Sequence, residues 1–197
     1  YRSKMKNGNS CSFYDPELQA LLENQAELET DIVRAIAHDE FSAYFQPQIN
    51  ANGKITGAEA LIRWHHPSKG LIAPNDFIPI AEQNGVIQKL QNTVLRDICI
   101  LINELNSKQL IDDSFKVSIN ISQVQFNSTT LKTELLNVVN DYNVNPSNIK
   151  LEITESMLSG DLASVISQID ELKQQGFFFS IDDFGTGYSC LTHLSSF

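Results

Sequence analysis

From Gly85 onward the chain keeps a rhythm that few folds tolerate, a helix followed by a short strand, three times over. Apolar residues at helical spacing predict a helix from Ile87 to Asn106, leading to a strand from Phe115 to Ser122. A second helix, Leu131 to Tyr142, leads to a strand over Asn148 to Thr154; a third, Leu162 to Gln174, leads to Phe177 to Asp182. Strand interiors such as Val117-Ser118-Ile119-Asn120-Ile121 and Phe177-Phe178-Phe179-Ser180-Ile181 suit a sheet covered by helices. Helices alternating with such strands build parallel βα units. The fold class expected is α/β, an incomplete TIM-like (β/α) barrel. This rhythm is the chain's one internal repetition, and low-complexity tracts are absent.

Upstream of the rhythm lies a hairpin. Phe41-Ser42-Ala43-Tyr44-Phe45-Gln46 reads as a strand, and Pro47, which cannot donate to a ladder, places it at an edge or a strand end. Asn52-Gly53 is a hairpin turn signal, so the next strand returns antiparallel to the first. That next strand contains Gly57-Ala58-Glu59-Ala60-Leu61-Ile62-Arg63-Trp64. Side chains alternate along a strand, so Glu59, Leu61 and Arg63 share one face and Ala60, Ile62 and Trp64 the other. A carboxylate and a guanidinium in front of small and apolar groups suggest the wall of a binding site backed by helices.

His65-His66-Pro67 follows and reads as a solvated loop in preference to a pair of metal ligands, because adjacent histidines on a regular element cannot both face one site and Pro67 marks a loop. Before the hairpin, Asp15 offers an N-cap with Pro16 at the first helical position. Leu18, Leu21, Leu22, Leu28, Ile32 and Ile36 follow at near-helical spacing. This helix, residues 15–38, is either a link into the domain that begins at residue 39 or an amphipathic packing helix.

Polar residues recur where the later strands end: Asn120, then Glu152 and Glu155, then Asp182 and Asp183 ahead of Phe184-Gly185-Thr186-Gly187-Tyr188-Ser189. Taken singly each has a plain explanation. A strand Asn packs, a strand Glu is solvated, and paired Asp residues cap a glycine-rich turn. In a parallel barrel, however, the C-terminal strand ends meet at one face where catalytic groups collect. Glu59, Asn120, Glu152 and Asp182 therefore can converge. Oxygen donors without a thiolate suit a hard cation, Mg²⁺ or Mn²⁺.

The bulk properties narrow the partners. Of 197 residues, 42% are hydrophobic and 19% charged, as in an ordinary globular protein. The formal charge of −10 argues against nucleic acid, since phosphate-backbone binding wants a basic surface. A small phosphate ligand remains compatible where metal ions offset the repulsion. No apolar run approaches the roughly 20 residues of a membrane span. Three cysteines without metal-type spacing point to a reduced, cytoplasmic setting.

Four segments resemble motifs of the EAL family of bacterial phosphodiesterases, which open cyclic di-GMP. They are Glu59 to Trp64, Ile119 to Ser122, Leu151 to Ser156 and Asp182 to Ser189, in the family's order. Tyr44-Phe45-Gln46-Pro47-Gln48-Ile49 and Ala73 to Glu82 are similar to further family segments. The resemblance covers roughly residue 30 to residue 197. It implies two ions, Mg²⁺ or Mn²⁺, one held by Glu59, Asn120, Glu152 and Asp182 and a second by Asp182 and Asp183. It implies substrate contacts from Gln46, Leu61 and Arg63, and two-metal hydrolysis to linear pGpG. Strand parity turns Glu155 away from Glu152; its family counterpart steadies the loop from Phe184 to Ser189, a loop tied to metal binding and homodimerisation.

Residues 1–14 resemble the end of a GGDEF domain, with Tyr1-Arg2-Ser3-Lys4 and Lys6-Asn7-Gly8-Asn9 as its last helix and turn; the alternative is a disordered tail. The family continues past Phe197 with a lysine, a glutamate and a glutamine that have no counterpart here. The expectation is a truncated EAL domain over 39–197, inactive alone, from a parent that is either a phosphodiesterase or a cyclic di-GMP receptor. Anchoring of that parent to the inner membrane is left open by this segment, which itself makes no membrane contact.

Overall fold

The computed structural model describes residues 16–159 and 162–182. Helix α1 (Pro16–Ala37) leads into strand β1 (Phe41–Ile49), which pairs with β2 (Ile55–His66), and a short β3 (Gly70–Ile72) folds back on β2. Helices α2 (Pro74–Gln83) and α3 (Ile87–Ser107) follow, then β4 (Lys116–Asn120), α4 (Gln123–Phe126) and α5 (Leu131–Asp141). Strand β5 (Ile149–Thr154), α6 (Leu162–Gln174) and β6 (Phe178–Asp182) complete the order.

The sheet order is β1-β2-β4-β5-β6, with β3 attached to β2. The first pair is antiparallel, and β2, β4, β5 and β6 run parallel. The described residues thus form an unclosed arc of a (β/α) barrel whose first strand is reversed, as the alternation and the hairpin signal predict. Pro47 sits on the edge strand β1, where its missing N–H costs no ladder bond on the open side. The turn at Asn52-Gly53 closes with Gly53 at φ +77° and with Asn50 Oδ1 accepting from the amides of Asn52 and Lys54 at 2.9 and 3.0 Å.

Two cores flank the sheet. Val117, Ile119, Leu151 and Ile153 point outward from β4 and β5 onto Ile98, Leu135 and Ile169 of the covering helices. The second core gathers Leu28, Ile32 and Ala35 of α1 with Phe41, Trp64, Phe77 and Leu90. Its centre is aromatic: the Phe41, Trp64 and Phe77 rings lie 5.1 to 5.7 Å apart, with Trp64 and Phe77 edge to face at 86°. The later turns of α1 are therefore part of the domain's packing.

Two expectations need correction. His65 and His66 are the last residues of β2, because β3 pairs through Trp64↔Ile72, His65↔Leu71 and His66↔Gly70 and extends the ladder. His66 is buried, and its Nε2 lies 3.0 Å from Asp31 Oδ2 of α1. Glu155, in turn, opens a 3₁₀ turn (Glu155–Ser159), so the alternation that runs through Thr154 stops before it. The GGDEF-like segment 1–14 and the Asp15 cap lie outside the described residues.

Candidate functional site

The inner face of the arc collects polar groups because the parallel strands turn apolar residues outward and most of their polar ones inward. On β2 the inward set is Gly57, Glu59, Leu61 and Arg63, while Ala58, Ala60 and Trp64 are buried behind. On β4 Ser118 and Asn120 face inward, on β5 Lys150, Glu152 and Thr154, and on β6 Phe178, Ser180 and Asp182. Parallel register sets Glu59 beside Ser118, Asn120 beside Glu152, Glu152 beside Ser180 and Thr154 beside Asp182. Four strands thus bring Glu59, Asn120, Glu152 and Asp182 to one surface.

Local contacts orient these groups. Asn120 Nδ2 donates to Glu59 Oε1 at 2.9 Å, joining β2 to β4 across one pleat step. Glu152 is buried, and its Oε1 accepts from Ser180 Oγ at 3.1 Å and pairs with Lys150 Nζ at 3.0 Å. Close approach of β2 to β4 depends on Gly57. A Cβ there would lie 2.3 Å from the Lys116 carbonyl oxygen and 3.4 Å from Gln48 Oε1. Ser122 ends the β4 segment by capping α4, with the reciprocal bonds of a capping box to Gln125 at 3.3 and 2.9 Å.

The remaining expected residues are placed as follows. Gln46 is exposed on β1, directly opposite Glu59. Leu61 pairs with Tyr44, and the Arg63 guanidinium lies 5.7 Å from the Tyr44 ring centroid while Nη1 donates to the Ile62 carbonyl at 2.8 Å. Asp182 is exposed at the end of β6. Asp183 and the loop from Phe184 to Ser189 lie outside the described residues. A cleft of about 260 Å³ at this end of the strands touches Leu61, Asn120 and Thr154 but is lined mainly by apolar residues of the outward face and covering helices, such as Ile62, Ile87 and Val94. A larger one of about 560 Å³ sits at the opposite ends of the strands and is lined chiefly by apolar groups, Phe45, Ile55, Leu101 and Phe115 among them.

Among the described residues, no three His, Cys, Asp or Glu side chains cluster as metal ligands by themselves. Asn120, which belongs to the expected donor set, is an amide, and Asp183 falls outside. The donor chemistry nevertheless fits a hard divalent cation: carboxylate and amide oxygens on adjacent strands. The buried Ser118 hydroxyl, between Glu59 and Lys150 in the register, has no hydrogen-bond partner among the described residues.

The sequence expectations omitted Lys150 and Ser180 as partners of Glu152. Parity along β5 was the available signal for the lysine, and the β5–β6 register for the serine.

The family model of the EAL domain matches residues 29–197. The chain belongs to the EAL domain family. It is 33% identical over 195 residues to the bifunctional diguanylate cyclase/cyclic di-GMP phosphodiesterase MucR of Pseudomonas aeruginosa, covering 98% of this chain and 28% of that protein. It is 34% identical over 190 residues to the cyclic di-GMP phosphodiesterase PdeR of Escherichia coli, covering 96% and 28%. A solved structure of the MucR phosphodiesterase in complex with cyclic di-GMP superposes with a TM-score of 0.81 at 33% identity, over 86% of this chain and 68% of that one. The chain spans about a quarter of the length of the curated relatives it matches. No helix among the described residues is long and apolar enough to cross a membrane.

Proposed function

We propose that the protein containing this EAL chain hydrolyses cyclic di-GMP to linear pGpG. The observation that carries it is the Glu59–Asn120 hydrogen bond at 2.9 Å, with Glu152 on the next strand. The signature glutamate and two further oxygen donors thereby stand together on adjacent parallel strands. The names of MucR and PdeR, both more than 30% identical to the chain, support the same activity.

In this assignment Glu59, Asn120, Glu152 and Asp182 hold one divalent ion, and Asp182 with Asp183 a second, Mg²⁺ or Mn²⁺. When bound, such ions supply an activated water and neutralise charge on the phosphoryl oxygens. They also offset the −10 charge that would otherwise repel a dinucleotide. Gln46 and Leu61 line the approach to Glu59, and Arg63 offers a phosphate the paired donors of a guanidinium. Glu155 steadies the loop that follows Asp183, through which homodimers form.

The test is Glu59→Ala in the full-length protein, with nucleotides separated by chromatography. Turnover is expected to vanish, and EDTA is expected to do the same to the wild type until Mn²⁺ is restored. Undiminished hydrolysis by the variant would refute the assignment of Glu59.

One observation favours a second reading, a receptor that binds cyclic di-GMP without cleaving it. Lys150 already neutralises Glu152, so the inner face can hold together without an ion. Calorimetric binding of the dinucleotide in EDTA by a protein that shows no turnover in Mn²⁺ would select it.

In the parent protein we place residues 1–14 at the end of a GGDEF-like module and α1 as the link into an EAL domain that begins near residue 39. MucR carries both activities in its name, which supports that arrangement. A cytoplasmic site of action fits the buried free thiol of Cys99.

A further inference from the structure

We infer that Lys150 is a positioning residue that holds Glu152 in place before any divalent ion binds and then opposes that ion. This rests on the assignment of Glu152 as a metal ligand made above. Glu152 is 8% exposed, and a buried carboxylate without a counter-charge is costly. The counter-charge comes from its own strand: Lys150, two residues earlier and on the same face, sets Nζ 3.0 Å from Glu152 Oε1. Ser180 Oγ takes the same oxygen at 3.1 Å, so both donors gather on Oε1.

The ammonium is three-quarters screened from solvent, its side chain being 24% exposed, so its charge acts through protein more than through water. The neighbouring inward lysine is engaged elsewhere. Lys116 Nζ donates to the Asp113 carbonyl at 3.0 Å and lies 4.4 Å from the Phe178 ring centroid, one layer below. Among the described residues Lys150 is therefore the cation on Glu152. A divalent ion approaching Glu152 meets a like charge already in contact with its ligand. Lys150 thus keeps the empty site ordered at the expense of ion affinity.

The decisive measurement is Mn²⁺ binding to the full-length protein, followed by the electron paramagnetic resonance signal of free Mn²⁺. Lys150→Gln, which removes the charge and keeps a donor, is expected to bind Mn²⁺ about tenfold more tightly. It is also expected to melt earlier than wild type in EDTA but not in saturating Mn²⁺. Lys150→Arg, which restores the charge, is expected to return the wild-type midpoint, and Lys150→Met is the second charge-free variant should Lys150→Gln fold poorly. Unchanged or weaker Mn²⁺ binding in the folded charge-free variants overturns the role of Lys150. Glu152→Gln run in parallel tests the underlying assignment, since unaltered Mn²⁺ binding there removes Glu152 from the ligand set whatever Lys150 does.

Discussion

Gly57 and Cys99 show how much a single position can decide. At Gly57 a side chain would strike the backbone of β4, which cannot yield as a flexible side chain would. Gly57→Ala is expected to cost about 1–3 kcal/mol and to part β2 from β4 two residues from Glu59. A lowered urea midpoint together with a loss of the proposed hydrolysis in the full-length protein would record it. Cys99 is fully buried, and burial pushes its thiol up to about 12 from its ordinary 9.0. Below pH 9.0 the thiol keeps its proton in both folded and unfolded chains. Between there and about 12 the unfolded chain ionises first, so the site contributes a loss of stability as pH rises. At pH 8 iodoacetamide is expected to label the Cys99 peptide only in urea, as mass spectrometry would show. At this scale the sequence is informative about identities. Parity alone separates Glu59, Leu61 and Arg63 from Ala60 and Trp64. It is silent on pairings such as Asn120 with Glu59, which depend on the register between strands sixty residues apart.

Between elements, the junction of α1 with β2 is the least legible part of the chain. His66 Nδ1 accepts from the Ser68 and Lys69 amides at 3.3 and 3.2 Å, so Nε2 is the nitrogen that donates to Asp31. Arg34 joins Asp31 at 3.1 Å and Glu40 at 3.6 Å, and Glu40 accepts from the Trp64 indole at 3.0 Å. Nothing in His65-His66-Pro67 announces this, because the three-residue strand that extends the ladder is too short for periodicity to reveal. The long helices and the strands they lead to were legible, since each carries a full apolar stripe and turn residues at its ends. His66→Ala is expected to cost about 2–3 kcal/mol, the penalty of breaking a buried polar network. Amide exchange should then accelerate at Leu28, Ile32 and Ala35, and unchanged protection there would show that α1 is held by its apolar side chains alone.

For the whole molecule, Ile62 packs against both cores and ties them across β2. The single tryptophan, Trp64, is fully buried in the second core, so its emission reports one half while far-UV circular dichroism reports both. Phe77→Ala is expected to cost about 3–5 kcal/mol and to shift both urea curves together. Separate midpoints would show two units that melt independently. The reversal of β1 has a consequence of its own. Phe41 lies against Trp64, so the chain arrives at the sheet on the end where the parallel strands deposit their carboxylates. The last turn of α1, at Ala37, therefore stands at the doorstep of the chemistry and not a strand's length away from it.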